Sequence, residues 1–183
     1  MPKAVKWILI ILIGLGVLAY GGFKFMQYNT KKASPESEFE FVKNDTEIEI
    51  FYNRPYKKER IIFGELVPFG QVWRTGANEP TTIEVSDDIK LAGQKLAAGE
   101  YSIWTIPTAE SWEVIFNSKV PGWGVSFEGV AARDAEYDAL KITVPVQGLD
   151  AVVEQFTIQI REAEQVNLEM MWDQTKISIP VDL

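Results

Sequence analysis

"EFEFV" (residues 38–42) and "TEIEIFY" (46–52) alternate charged with apolar side chains. Successive side chains of a strand point to opposite faces, so a period of two sets one face against a core and the other in water. "TTIEV" (81–85) is rich in β-branched residues. "IKLAGQKLAAGEYSIWTIP" (89–107) reads as two short strands about Ala92-Gly93-Gln94, a turn at Ala98-Gly99, and a strong strand from Tyr101 to Ile106 closed by Pro107. "SWEVIFN" (111–117), "ALKITVPV" (139–146) and "EQFTIQIRE" (154–162) follow. "VNLEMMWD" (166–173) and "TKISIPV" (175–181) flank Asp173-Gln174, a hairpin signal. Only "VAARDAEYDAL" (130–140) has room for a helical turn. The pattern predicts an all-β domain over residues 38–183: an antiparallel β-sandwich, jelly-roll or Greek-key-like, with a closed β-barrel as the alternative. Trp73, Trp104, Trp112, Trp123 and Trp172 fall in or beside these strands, where large aromatics fill cores. A sugar- or peptide-stacking platform is the rival use.

The amino terminus is of another kind. "WILIILIGLGVLAYGGF" (7–23) carries no charge and is as long as the shortest membrane-spanning helices. Trp7 and Tyr20 sit near its ends, where amphipathic rings favour the interface. A cleaved signal peptide has a shorter apolar region and a small-x-small site, for which Ala19-Tyr20-Gly21 is a poor match. Residues 1–25 therefore read as an uncleaved anchor spanning the membrane through 7–23, with a cleaved signal as the alternative. Residues 26–37 read as a polar linker. Lys3 and Lys6 argue for a cytoplasmic amino terminus, Lys24, Lys31 and Lys32 against it. The expected location is the inner membrane, with a single pass and the domain in the periplasm; the alternative is a domain released into the periplasm.

Composition excludes much chemistry. The 183 residues contain no cysteine and no histidine. Disulfides, thiolate zinc sites, cysteine nucleophiles, the Ser-His-Asp triad and histidine-ligated metals are thereby ruled out. Residues 1–32 hold five lysines and no acid, whereas residues 33–183 hold 13 basic and 26 acidic side chains, an excess of 13 negative charges. Such a body repels phosphate backbones, so no nucleic acid is expected. It suits cationic ligands, or serves only solubility. No phosphate-binding glycine loop is present, and neither Asp87-Asp88 nor the acids of 134–138 have calcium-loop spacing. No metal and no cofactor are expected.

Residues 53–80, "NRPYKKERIIFGELVPFGQVWRTGANEP", alternate poorly and are punctuated by glycine and proline. They gather the chemistry-bearing groups. Arg74 offers a planar fork for carboxylate, phosphate or carbonyl. Glu79 can act as a base, ligate a cation or pair with Arg74. Asn78 can orient a ligand or bond the turn backbone. One arrangement is an Arg74–Glu79 bond with Asn78 capping the turn. The other is an open site built from Arg54, Tyr56, Trp73, Arg74, Asn78 and Glu79. Glycoside hydrolysis needs two carboxylates about 5–10 Å apart, and Glu65 with Glu79 is the obvious pair.

The stretch from Arg54 to Asn117 resembles domain-of-unknown-function family 2911, a bacterial and mostly exported family. The resemblance rests on Arg54-Pro55, Ile62-Phe63-Gly64, the run Trp73-Arg74-Thr75-Gly76-Ala77-Asn78-Glu79, Gly99-x-Tyr101-Ser102 and Ile106-Pro107. "GWG" at 122–124 and Asp138-Ala139-Leu140-Lys141 also fit. Glu59 departs from the pattern, in which glycine is common. The resemblance implies export and treats Arg74, Asn78 and Glu79 as one unit, but implies no reaction. The expected role is a ligand-binding or protein-interaction module taking a small molecule, glycan or protein. The alternatives are a carboxylate enzyme acting on glycans, and an assembly domain whose motif serves only the fold.

Overall fold

The computed structural model describes residues 2–126 and 128–183. Met1, first residue of the expected anchor, and Phe127, within the expected domain, lie outside the described residues. Two compact units divide the chain, residues 1–33 and residues 34–183.

The first unit is one helix, α1 (Lys3–Ala33). Its apolar side chains are exposed, among them Trp7, Ile8, Leu12, Ile13, Leu18 and Phe23. A helix of this length reaches about 46 Å, and α1 is long and apolar enough to cross a membrane. It runs on through residues 26–33, part of the stretch whose polarity reads as linker. Extending an established helix adds a hydrogen bond for each residue fixed, so a polar turn follows an apolar one readily. Ser34 precedes Pro35, whose ring disfavours the helical conformation of the residue before it.

The second unit is a sandwich of two open antiparallel sheets. One has the order β1-β2-β3-β6-β7-β8, the other β5-β4-β10-β9. Their ranges are β1 (Glu36–Lys43), β2 (Thr46–Asn53), β3 (Thr81–Val85), β4 (Ile89–Leu91), β5 (Gln94–Leu96), β6 (Gly99–Pro107), β7 (Ser111–Asn117), β8 (Asp138–Pro145), β9 (Gln147–Glu162) and β10 (Val166–Asp182). Neither sheet closes, so the barrel alternative falls. Ala135–Tyr137 forms one 3₁₀ turn, within the stretch expected to hold a helical turn. Asp134 caps it, its side chain accepting from the Glu136 N–H.

Alternation decides which face is buried. Ile48, Ile50 and Tyr52 of β2 point inward with Ile83, Val85, Ile103, Val114 and Phe116. They meet Phe156, Ile158, Leu168, Met170, Ile177 and Ile179 of the opposite sheet. β10 turns back on itself. Glu169 pairs with Lys176 at 2.7 Å, and Ser178 Oγ donates to Asn167 Oδ1 at 3.3 Å. A straight strand would hold Glu169 and Lys176 about 23 Å apart. The fold-back is centred on Trp172-Asp173, where Asp173 takes φ 55°, as the hairpin signal in the sequence indicates.

Candidate functional site

Past the start of β3, residues 72–74 take β3's place beside β6. Trp73 N–H donates to Thr105 O at 2.7 Å, and Thr105 N–H donates back at 3.0 Å. Strand alternation then turns Trp73 inward with Thr105 and Arg74 outward. Trp73 stacks on Trp172 (centroids 5.9 Å apart, planes at 16°) and meets Trp112 and Phe156 edge-on at 6.0 and 5.1 Å. Its indole N–H donates to Gly76 O at 3.1 Å. Trp73 therefore packs, partly buried, against the core. Trp104, Trp112 and Trp172 are buried and offer no face for a sugar.

Beyond Trp73 the chain folds sharply, with Thr75 at φ 55° and Asn78 at φ 58°. Gly76 backs onto β2; a Cβ there would stand 2.9 Å from Asn53 O. Thr81 Oγ1 donates to Thr75 O at 2.5 Å, and Thr75 Oγ1 meets Thr105 Oγ1 at 3.2 Å. Asn53, fully buried, joins the motif's other end: Asn78 Nδ2 donates to Asn53 Oδ1 (3.2 Å), and Asn53 Nδ2 donates to Glu79 Oε2 (3.1 Å). Asn53 is not among the residues that the sequence singles out. Its one signal is position: an amide ending the alternation of β2, immediately before Arg54-Pro55.

Arg74 and Glu79 do not pair. Among the described residues the Arg74 side chain makes no ion pair, and its buried Nε has no hydrogen-bond partner. Burial alone lowers its pKa from the ordinary guanidinium value. Gly124 covers it, and Gly124 N–H donates to Asn78 O at 3.0 Å. The expected Arg74–Glu79 bond gives way to Asn53–Glu79 because the turn sends the two side chains apart. Arg54 also points elsewhere: its guanidinium donates to Phe156 O (3.1 Å) and Thr157 Oγ1 (3.0 Å) of β9. Tyr56 bridges to Gln155 and is exposed. Of the six candidates, then, Asn78 and Glu79 share a hydrogen-bond chain, Arg74 adjoins it through Gly124, Arg54 and Trp73 make other contacts, and the Tyr56 side chain is exposed.

Glu79 does line a cleft of about 400 Å³ on the outer face of the larger sheet. Glu38, Glu49, Glu84 and Glu100 line it too, with Phe51, Pro80, Val120 and Pro121 as apolar wall. Glu65 is exposed and is not part of it, so the two carboxylates proposed for hydrolysis do not face each other there. Strand register sets the acids in a row: Glu40 opposite Glu49, Glu49 opposite Glu84, Glu84 opposite Glu100. At a strand spacing of about 4.8 Å the row is roughly 14 Å long. Next to it, Glu47 has its pKa raised, first by the charge of Glu40, then by desolvation and Glu49. Among the described residues no group of three acids is placed to hold a metal ion.

The long connection from β7 to β8 walls the cleft and is pinned at both ends. Ser102 Oγ donates to Lys119 O at 2.7 Å and accepts from the Trp104 indole at 2.8 Å. Asn117 Nδ2 donates to Asp134 O (2.7 Å) and Asp138 Oδ1 (2.8 Å). Arg133 Nε adds a bond to Asp138 Oδ1 at 2.9 Å. Burial raises the Asp138 pKa, but hydrogen bonds from Arg133, Lys141 and Asn117 outweigh it and hold the carboxyl well below the usual range.

The family model described as "Protein of unknown function (DUF2911)" matches residues 34–181. The chain belongs to this family. The DUF2911 match starts where the β unit starts, so α1 lies outside it while the Trp73–Glu79 corner and the whole acidic row lie inside. No curated protein and no solved structure matches the chain.

Proposed function

We propose that this chain is a membrane-anchored binding module, held in the inner membrane by α1 with its β-sandwich in the periplasm, and that the cleft beside Glu79 receives a cationic ligand. The observation that carries this reading is the cross-strand row Glu40-Glu49-Glu84-Glu100. Like charges directly opposite on neighbouring strands destabilise a sheet. Four in line lower stability without serving the core, as groups kept for a ligand do. The apolar wall of Phe51, Pro80, Val120 and Pro121 would shield the contact from water and strengthen it.

Titration of the full chain in zwitterionic micelles with spermidine, followed by calorimetry, tests the binding role. Binding that weakens at least tenfold in Glu49→Gln/Glu84→Gln, and weakens with salt, is the expected result. Absence of binding at low salt overturns it. The anchor is tested by the mass of the chain recovered from membranes: 20.7 kDa if α1 is retained, less if a signal peptidase has removed it.

A further inference from the structure

The larger sheet ends at β1, whose eight residues pair with β2 in unbroken register from Glu36–Asn53 to Lys43–Thr46. Its other side pairs with no strand among the described residues. Exposed edges of this length invite strand addition, and proteins blunt them with proline, bulges, short strands or charged side chains, the last of which deter only partners of like charge. The other edges are blunted. β8 ends in Pro145 and has a register shift against β7, β5 is three residues long and carries Lys95, and β9 is broken twice in its pairing with β10. β1 has no proline and no residue of positive φ, and its Lys43 is held by Glu162 at 2.7 Å.

The charge of β1 selects its partner. Glu38 and Glu40 are exposed on the outer face and continue the acidic row to the sheet's edge. Phe39 and Phe41, on the other face, are only partly buried against the core. Strands adding to an edge place like faces together. A second copy of β1 would therefore set glutamates against glutamates, which disfavours self-pairing. A strand with lysine or arginine at every second position and apolar residues between would meet Glu38 and Glu40 with one face and cover Phe39 and Phe41 with the other.

We infer that the edge of β1 from Ser37 to Val42 is a docking site for an extended basic segment of another protein, about six residues long, added as a further strand of the sheet. The inference rests on the proposed cation-binding role for the sign of the ligand's charge. It adds the backbone as the means of recognition: main-chain hydrogen bonds give affinity, and alternate side chains give specificity.

The test uses the full chain in zwitterionic micelles and a fluorescent six-residue peptide alternating lysine and valine. A peptoid with the same side chains, which lacks backbone N–H groups, is the control. Anisotropy should show the peptide bound at least tenfold more tightly than the peptoid. Hydrogen exchange should slow within residues 37–42 when the peptide is bound. Equal binding of peptide and peptoid, or unchanged exchange of β1, overturns the inference. If spermidine still binds in that case, the cation-binding role stands without strand addition. If neither spermidine nor the peptide binds, both fail.

Discussion

Gly124 lies so close over Arg74 that a Cβ at this position would overlap Arg74 Cδ and come within 2.8 Å of Asn78 O. The absence of a side chain at 124 lets the β7–β8 connection seat on the motif and wall the cleft. Gly124→Ala should cost about 1–3 kcal/mol, the usual size of overpacking. Adding Arg74→Ala to the same chain should recover part of that loss, since the overlap with Cδ would go while the contacts with Asn78 O and the Cβ of residue 74 would remain. Urea unfolding of the single and double variants measures both.

Arg74 and Asn53 should respond in opposite ways. Arg74 is partly desolvated and its buried Nε has no partner among the described residues, so the apolar Arg74→Met should leave stability unchanged or raise it by about 1 kcal/mol. Asn53→Ala strips a partner from both Asn78 and Glu79 and should cost about 1–3 kcal/mol. Thermal unfolding of the two variants compares them. A large loss in Arg74→Met would show that its charge is compensated in the folded chain.

The acidic row should be a stability liability. Glu84 faces Glu49 on one side and Glu100 on the other. Glu84→Gln should stabilise the chain by about 0.5 kcal/mol at low salt. The gain should shrink as salt screens the row. Melting temperatures at low and high ionic strength read both effects.

Acid should act in two stages. Glu47 has a folded pKa above its ordinary 4.5. The folded state therefore binds its proton more readily, and stability rises as pH falls through the folded value toward 4.5. Asp138 has a folded pKa below its ordinary 3.8, and Glu169, paired with Lys176, one below 4.5. Their stabilisation is complete above those ordinary values and is lost as pH falls below them. Stability should rise on mild acidification and then fall below about pH 4. Glu47→Gln should remove part of the rise, and Asp138→Asn part of the fall, in denaturant titrations across pH.

Much of the sandwich is legible in the sequence because a sheet with one buried face must alternate. β1, β2 and β3 announce themselves in this way, and Pro107 ends β6 where the ladder could no longer use its N–H. The apolar run 7–23 announces a helix long enough to cross a bilayer, though not its continuation to Ala33, which depends on helix propagation rather than hydropathy. The seven-residue motif is legible as a unit but not as a geometry. Positive φ at Thr75 and Asn78 separates Arg74 from Glu79, although five positions divide them. Asn53, twenty-five residues from Asn78, takes both amide and carboxylate contacts instead.

The sequence by itself determined the fold class, the apolar amino-terminal helix, the acidic sign of the body and the loss of histidine and cysteine chemistry, because alternation, hydropathy and composition are local or additive properties. The tertiary structure alone decided where charge accumulates. Glu40, Glu49, Glu84 and Glu100 come from four strands and become a row only through register, which the core fixes by burying Ile50, Ile83 and Tyr101 opposite one another on the inner face. A slip of one residue in any pairing would turn that strand's side chains to the other face and break the row.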